Sequence, residues 1–571
     1  MKRALLACLL VLLSAGPAAA SEEQESILQD DPLFVYPRSD GELEQGFKTL
    51  RELGVDRLRV SVFWNLVAPR PRGKRKPSFG PKGSAWPDSY PDGVWDRYDR
   101  IALLGAEYDI ELLFTIVGPA PNWAAQRHGG PYSVYKPDVD EFRRFATAVG
   151  RRYSGTWTIE GQAAAQSQSQ PAPPATPPGV GGTLLPGQPQ QPQQPQQQPQ
   201  QQSTTQPITV PRVDHWSLWN EGNYPTWLSP QSRRTRLPGY RGGYLPYSPH
   251  LYRQLADAAF DGLAATGHRS DVILIGETAP RGGEVGVNKT IAPLPFLREL
   301  YCVDDRYRRF RGIEAQARGC PVTAAQRRRF RAQNPALFET SGWAHHPYSL
   351  DQPPTWSHPS KNSVPLGSIG RIIRAYDRAR LSWNDFGQGD IWITEYGYQT
   401  EPDPYVGIPM FRQALWTTWA EFIAYGNPRI ASMAQFLLHD DRPDTKFAAA
   451  DIRRWRTWQS GLATNAGARK PLYDEYPFPI HVAPTRPRAG ATIRVFSIAR
   501  PAPDDTPLQA RVQEIGPDGR VVTLRRVEVD NFKNYLDTWV RPRQSSSQIR
   551  VVWVHASGGT VSTRRVGVEV E

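Results

Sequence analysis

The sequence predicts a (β/α)8, or TIM, barrel with a C-terminal β-sandwich. Three observations predict it. Short apolar runs alternate with amphipathic segments from about residue 31 to 480, none of those runs is followed by the Gly-rich phosphate loop of a doubly wound sheet, and from His481 onward the pattern changes to period-two alternation. At 571 residues the chain is also too long for one ordinary domain.

Residues 1–20 read as a signal peptide: Met1-Lys2-Arg3 gives the positive start, 4–16 the apolar core and Ala18-Ala19-Ala20 the cleavage site. The expected mature protein is secreted, with no membrane attachment after cleavage, because no later apolar run reaches about 20 residues. The catalytic barrel is expected over 21–480. Leu33-Phe34-Val35-Tyr36 is its candidate first strand, and Gly41 to Leu53, with Leu43, Phe47, Leu50 and Leu53 on one face, its first helix. Arg57 to Trp64 and Ile110 to Val117 follow as strands, each with a helix after it (Val94 to Tyr108 and Asp138 to Tyr153).

Residues 161–212 are mostly Gln, Pro, Ser and Thr. They cannot bury enough apolar surface to offset their ordering entropy, so a disordered insertion is expected, hanging from the amino end of the barrel. Strands four to eight are expected at Trp216 to Glu221, Val272 to Glu277, Ser341 to His346, Asp390 to Glu395 and Ser432 to Leu438, with helices at 249–266, 368–381 and 409–425. A second insertion, 281–339, carries 12 Lys or Arg against 6 Asp or Glu; because it follows a strand, it is expected near the active-site face. Cys8 leaves with the signal peptide, and Cys302 and Cys320 are expected to pair, closing a loop worth about 3 kcal/mol. In the β-sandwich accessory domain, 481–571, hairpins are expected to turn at 516–519 and 557–559.

The net charge of +12 raises nucleic acid, anionic surfaces and acidic substrates as partners. Arg scattered along the chain and nearly as many acidic residues favour a solvated surface, and no nucleic acid is expected.

The chemistry lies in two runs of the same form. Trp216-Ser217-Leu218-Trp219-Asn220-Glu221-Gly222-Asn223 and Asp390-Ile391-Trp392-Ile393-Thr394-Glu395-Tyr396-Gly397 each bring a carboxyl group to the end of a strand-like segment. Two carboxyl groups on opposite sides of an anomeric carbon, about 5–5.5 Å apart, suffice to cleave a glycosidic bond with retention.

These runs resemble the two catalytic signatures of the clan A glycoside hydrolases, retaining β/α-barrel enzymes that include the family five cellulases and mannanases. The resemblance covers roughly 31–480. It implies that Glu221 is the acid/base and Glu395 the nucleophile, that Asn220 contacts a sugar 2-hydroxyl, that Arg59 lies beside the nucleophile, and that His346-Pro347-Tyr348 places a Tyr hydroxyl on it. It also implies cleavage of a β-linked glycoside or polysaccharide. The clan's Trp at strand eight has no counterpart in Gln435-Phe436-Leu437-Leu438-His439, and its polar group after strand three is replaced by Asn122, Trp123 or His128. Trp64, Trp123 and Trp227 are further candidates for substrate contact. His345 and His346 lack further ligands at metal spacing, so neither metal nor cofactor is expected. The expected partner is a carbohydrate, acidic if the Arg-rich insertion binds it. Two other readings are a non-catalytic glycan-binding barrel and an Arg-rich binder of anionic surfaces or nucleic acid. Nothing in the sequence sets the oligomeric state.

Overall fold

The computed structural model describes residues 21–126, 133–159, 207–283, 289–555 and 558–571. The expected signal peptide and residues 161–206 of the Gln/Pro-rich insertion lie outside the described residues.

Eight parallel strands close into a barrel: β1 (Glu25–Gln29), β2 (Arg57–Phe63), β3 (Glu111–Val117), β4 (His215–Leu218), β5 (Val272–Thr278), β6 (Gly342–His345), β7 (Asp390–Ile393) and β8 (Ile430–Phe436), with β8 pairing back onto β1. The first strand is not the expected Leu33 to Tyr36. Asp30 caps a helical turn, Asp31–Phe34, by accepting from the Leu33 N–H, and Pro32 favours that turn, so Leu33 and Phe34 pack as helix residues. Glu25–Gln29 was harder to see because its polar residues face the barrel interior.

Helices α1 (Asp40–Leu53), α2 (Asp96–Tyr108), α3 (Val139–Arg152), α4 (Ser248–Ala264), α5 (Pro293–Leu300), α6 (Ala324–Gln333), α7 (Gly370–Leu381) and α8 (Met410–Tyr425) surround the strands. Along β2, Leu58, Val60 and Val62 join the core beneath the helices, while Arg57 and Arg59 point inward. Inside the barrel a small apolar cluster of Ile27, Leu113, Leu274, Ala344, Trp392 and Ala434 separates two polar layers. The layer toward the amino end is built on Arg57, bonded to Glu25 and Glu111. The one toward the carboxyl end is built on Arg59.

Only the first residues of the Arg-rich insertion, up to about 292, stay at the mouth, where the whole of it was expected. Helix α5 packs against α4 and α7 on the flank of the barrel, and α6 carries the exposed Arg328, Arg329 and Arg331 further out. Cys302 and Cys320 are joined there as a disulfide, buried against His250 and Arg253 of α4. The Gln/Pro-rich segment is shorter than 161–212: Ile208–Thr209 pairs with Thr158–Ile159, a ladder that ties its base below β4. Among the described residues no helix is long and apolar enough to cross a membrane.

The C-terminal residues form a sandwich of two antiparallel sheets. One is β9 (Ile480–Ala483), β10 (Ile493–Ile498) and β13 (Tyr535–Val540). The other comprises β11 (Leu508–Ile515), β12 (Val521–Val529), β14 (Ser546–Val554), β15 (Thr560–Ser562) and β16 (Val566–Glu569). Val495, Val512, Ile549, Val551 and Trp553 fill the space between them. This module is fixed to the amino end of the barrel: Phe496 and Tyr535 pack on Tyr425 at the end of α8, Arg500 pairs with the buried Glu421 at 2.6 Å, Lys533 meets Asp56, and the Tyr535 hydroxyl donates to the Gln24 carbonyl. The carboxyl ends of the strands remain open.

Candidate active site

The two signature glutamates meet at that open end. One oxygen of Glu221, one of Glu395 and a ring nitrogen of His346 all lie within 4.8 Å of one another. Both carboxyl groups keep a little solvent contact, with side chains 15% and 11% exposed. A bound molecule can therefore reach both.

Glu221 is presented by a strained turn at the end of β4. Trp219 has φ 71° and Glu221 φ 36°, left-handed conformations that cost non-glycine residues energy and persist where the surroundings fix them. The surroundings do so: the Glu221 N–H donates to the Glu277 carbonyl at 2.8 Å, and the buried Asn223 side chain bonds the backbone of Ala279 and Ile291.

Arg59 organises the rest. Fully buried, it donates to Glu395 at 2.6 Å, to the Asn220 oxygen at 2.9 Å, to Thr115 and to Gln29, and it lies 3.3 Å from Glu277. Gln29 in turn donates to Asp31, so a hydrogen-bonded chain runs from the β1 turn to Glu395. Burial opposes the charge on Arg59, but Glu277 and Glu395 outweigh it, and its pKa is raised. The Tyr348 hydroxyl donates to the other Glu395 oxygen at 3.1 Å. Glu395 thus accepts two hydrogen bonds, one of them from a cation, as an ionised carboxylate does.

His346 lies beneath both glutamates. Its Nδ1 is 3.1 Å from Glu221 and 3.4 Å from Glu395, and its Nε2 is 2.6 Å from Glu277. Burial works against a charged ring, yet the Glu395 charge and the hydrogen bonds to Glu221 and Glu277 raise its pKa to about 10, which favours the imidazolium at neutral pH with both N–H groups committed to carboxyl oxygens. That commitment disfavours the metal-ligand use its position beside two carboxylates suggests. Burial raises the Glu221 pKa, reinforced by the Glu395 charge and opposed by His346. Neighbouring His345 is lowered to about 4 by burial and holds Thr278 and the Val364 carbonyl, a structural role.

Glu277 was not among the residues expected at the site. It ends β5 as Glu221 and Glu395 end their strands, and Val272-Ile273-Leu274-Ile275-Gly276-Glu277 has the same apolar-run-to-carboxylate form, which was the available signal. It is fully buried and accepts from His346, from Ser217 at 2.5 Å and from Thr394 at 2.5 Å. Burial would raise its pKa, but Arg59 and His346 outweigh that and bring it down to about 2. Gly276 before it is obligatory: a Cβ there would stand 2.5 Å from the Trp343 ring and 2.7 Å from the Ala344 carbonyl.

Of the other candidates, Trp64 does not face the site. It is 1% exposed and stacks on Phe145 at 5.8 Å in the core. Trp123 is half-buried with its edge against Trp64 and Phe79, its N–H given to the Pro69 carbonyl. Trp227 is half-buried in the turn after Glu221, its carbonyl accepting from Trp219. Asn122 is buried against the backbone of the loop after β2, and His128 lies outside the described residues. A ring from farther along stands beside the end of β8: Trp458, 37% exposed, stacks on Tyr348 at 5.5 Å and meets Phe436 edge-on, because the loop after β8 folds back, the Asp441 N–H donating to the Trp458 carbonyl and the Trp458 N–H to the Asp441 side chain.

No protein-family model matches the sequence, and no curated protein matches it. The chain is similar to a β-glucuronidase from Parabacteroides merdae (11% identity, 96% of this chain and 48% of that one, TM-score 0.38). It is also similar to a family 1 β-glucosidase from Thermotoga maritima (12%, 81% and 98%, TM-score 0.42) and to GH5_18 from Bifidobacterium longum (11%, 80% and 78%, TM-score 0.42). It spans about half the length of the β-glucuronidase.

Proposed function

We propose that this protein is a retaining glycoside hydrolase that cleaves a β-linked glycoside or polysaccharide, with Glu395 as nucleophile and Glu221 as acid/base. The observation that carries the proposal is the pair of carboxyl groups at the barrel mouth, one oxygen of each within 4.8 Å of one of the other, which supports the separation of about 5–5.5 Å of a retaining pair over the roughly 6.5–9.5 Å of an inverting one. Glu395, held by hydrogen bonds from Arg59 and Tyr348, attacks the anomeric carbon as the bond to the leaving oxygen breaks. Glu221, whose pKa burial raises, gives that oxygen its proton. Glu221, now a carboxylate, then takes a proton from water as the water attacks the glycosyl–Glu395 ester, and both residues return to their first state. Asn220, whose side-chain oxygen accepts from Arg59, bonds the sugar 2-hydroxyl in this reading. The clan resemblance supports the β-linkage.

The test is trapping. A panel of 2-deoxy-2-fluoro β-glycosides with good leaving groups is expected to inactivate the enzyme and leave one glycosyl mass on the peptide that holds Glu395. A label on Glu221 instead would reverse the roles, and clean inversion of a cleaved substrate would remove the double displacement.

Trp458 supports a sugar on its exposed face. Trp458→Ala is expected to lower kcat/KM about tenfold through loss of one stacking contact, with the change mostly in KM. Unchanged kinetics on cleaved substrates would leave the ring as packing for Tyr348 alone.

A further inference from the structure

The charge of this chain is not spread evenly over the barrel. The formal net charge is +12. Among the described residues, the segments that leave the carboxyl ends of the eight strands (30–39, 64–95, 118–138, 219–247, 279–292, 346–369, 394–409 and 437–470) hold 22 Lys or Arg against 14 Asp or Glu, and two of those acids are Glu221 and Glu395. Most of the positive excess therefore lies on the face that carries the site.

The distribution is sharpest beside Glu221. Arg233, Arg234, Arg236 and Arg241 stand in the loop after β4, and none of them pairs with a carboxylate among the described residues. Arg233 and Lys136, from two different loops, both stand over the ring of Tyr247, at 4.5 and 5.5 Å, and Arg234 stands over Tyr244 at 4.9 Å. This cationic arm is fastened to the turn that presents Glu221. The buried Gln231 side chain donates to the Gly222 and Leu228 carbonyls and accepts from Ser248, while its backbone carbonyl accepts from Tyr247. Lys136 is held by its own N–H on the Ser229 carbonyl. Two like charges on one ring repel each other. The ring offsets part of that, and an anion that reaches both turns the repulsion into two attractions.

We infer that the glycan taken by this barrel is a polyanion, bearing carboxylate or sulfate groups, and that Lys136, Arg233 and Arg234 receive one of those groups on the Glu221 side of the mouth. The inference rests on the hydrolase reading for its sugar, while its own content is the charge of that sugar. Guanidinium groups bind carboxylate and sulfate oxygens in paired hydrogen bonds, and a cationic rim around a concave site raises the local concentration of a polyanion.

Binding and cleavage are tested separately on the full chain. The Glu395→Gln protein is run in native gels containing alginate or hyaluronan (carboxylated), carrageenan (sulfated), or β-mannan and mixed-linkage β-glucan (neutral). The expected result is retardation by one of the anionic classes, which identifies the group, with binding at least tenfold weaker at 200 than at 50 mM salt. Adding Lys136→Gln and Arg233→Gln is expected to weaken it by a further tenfold or more at an unchanged melting temperature. Retardation by the neutral gels alone, indifferent to salt, would overturn the inference. So would duplex DNA bound as tightly with the same sensitivity to both substitutions, which would assign the rim to nucleic acid. If the wild-type protein binds the anionic glycan but cleaves nothing, the hydrolase reading falls and this one stands. If it cleaves a neutral glycan and ignores the anionic ones, the reverse holds.

Discussion

Glutamine at position 395 is expected to abolish turnover of every substrate, whereas glutamine at 221 is expected to divide substrates by their leaving groups. A substrate whose leaving oxygen needs a proton should lose about 10²–10⁴-fold in kcat/KM, the usual contribution of a positioned general acid. A dinitrophenyl glycoside, which departs without a proton, should still glycosylate Glu395 and then stall, because water is no longer activated. Azide, which needs no general base, should release the stalled sugar as a β-glycosyl azide. The pH profile gives a second readout. Glu221 acts protonated, so activity falls as pH rises through its pKa, and burial together with the Glu395 charge places that fall above the ordinary carboxylate range. With glutamine at 221 the alkaline limb should flatten for the dinitrophenyl substrate. An alkaline limb that stays where it was would show that some other group is the acid.

The position of these two residues was legible in the sequence because each stands at the end of an apolar run, where a barrel strand opens onto its face; the roles proposed for them come from the clan resemblance. Arg59 was legible too, in the alternation of Arg57-Leu58-Arg59-Val60. What was not legible depended on distant loops and on burial. Trp458 lies some twenty residues past β8, and only the fold-back of that loop carries it to Tyr348. Trp64 ends a strand as a sugar-stacking ring might, yet the chain turns at once into a helical turn and the ring falls into the core between β2 and α3. The arginines of 281–339 were read as lying near the mouth because they follow a strand. Helix α5 instead takes the flanking position of a barrel helix and carries the rest of the insertion outward. The cations that do line the mouth come from four or more separate loops, each unremarkable in sequence, and they converge only when the barrel closes. Glu277 illustrates a different limit. Its strand has the same form as the other two, but nothing in a linear pattern says that of three strand-end carboxyl groups two will keep solvent contact and one will be sealed beneath them.

That sealed carboxylate should matter nearly as much as the two exposed ones. Glu277→Gln keeps the shape and most hydrogen bonds but removes the charge that faces both Arg59 and His346. A carboxylate brought from 4.5 to about 2 on folding contributes about 3 kcal/mol, the same order as the cost of breaking a buried pair. The sign follows from the lowered pKa: this stability is present above the unfolded-state value and is lost as pH falls through the folded one. Urea titrations should therefore show the wild type about 3 kcal/mol more stable than Glu277→Gln at pH 7, with the gap narrowing below pH 4.5. Catalysis should respond through His346. Glu395, Glu277 and the hydrogen bond to Glu221 hold its pKa at about 10, and with the Glu277 charge gone the ring should release its Nδ1 proton closer to neutrality. The imidazolium that Glu221 and Glu395 both face would then be lost within the working range. The expected signature is a fall of tenfold or more in kcat/KM together with a steeper alkaline limb, since two protons now leave where one left before. Glu277→Asp, which keeps the charge, should recover part of both effects. A glutamine variant with wild-type stability and a single alkaline ionisation would reduce Glu277 to packing, and His346 would need another account of its charge.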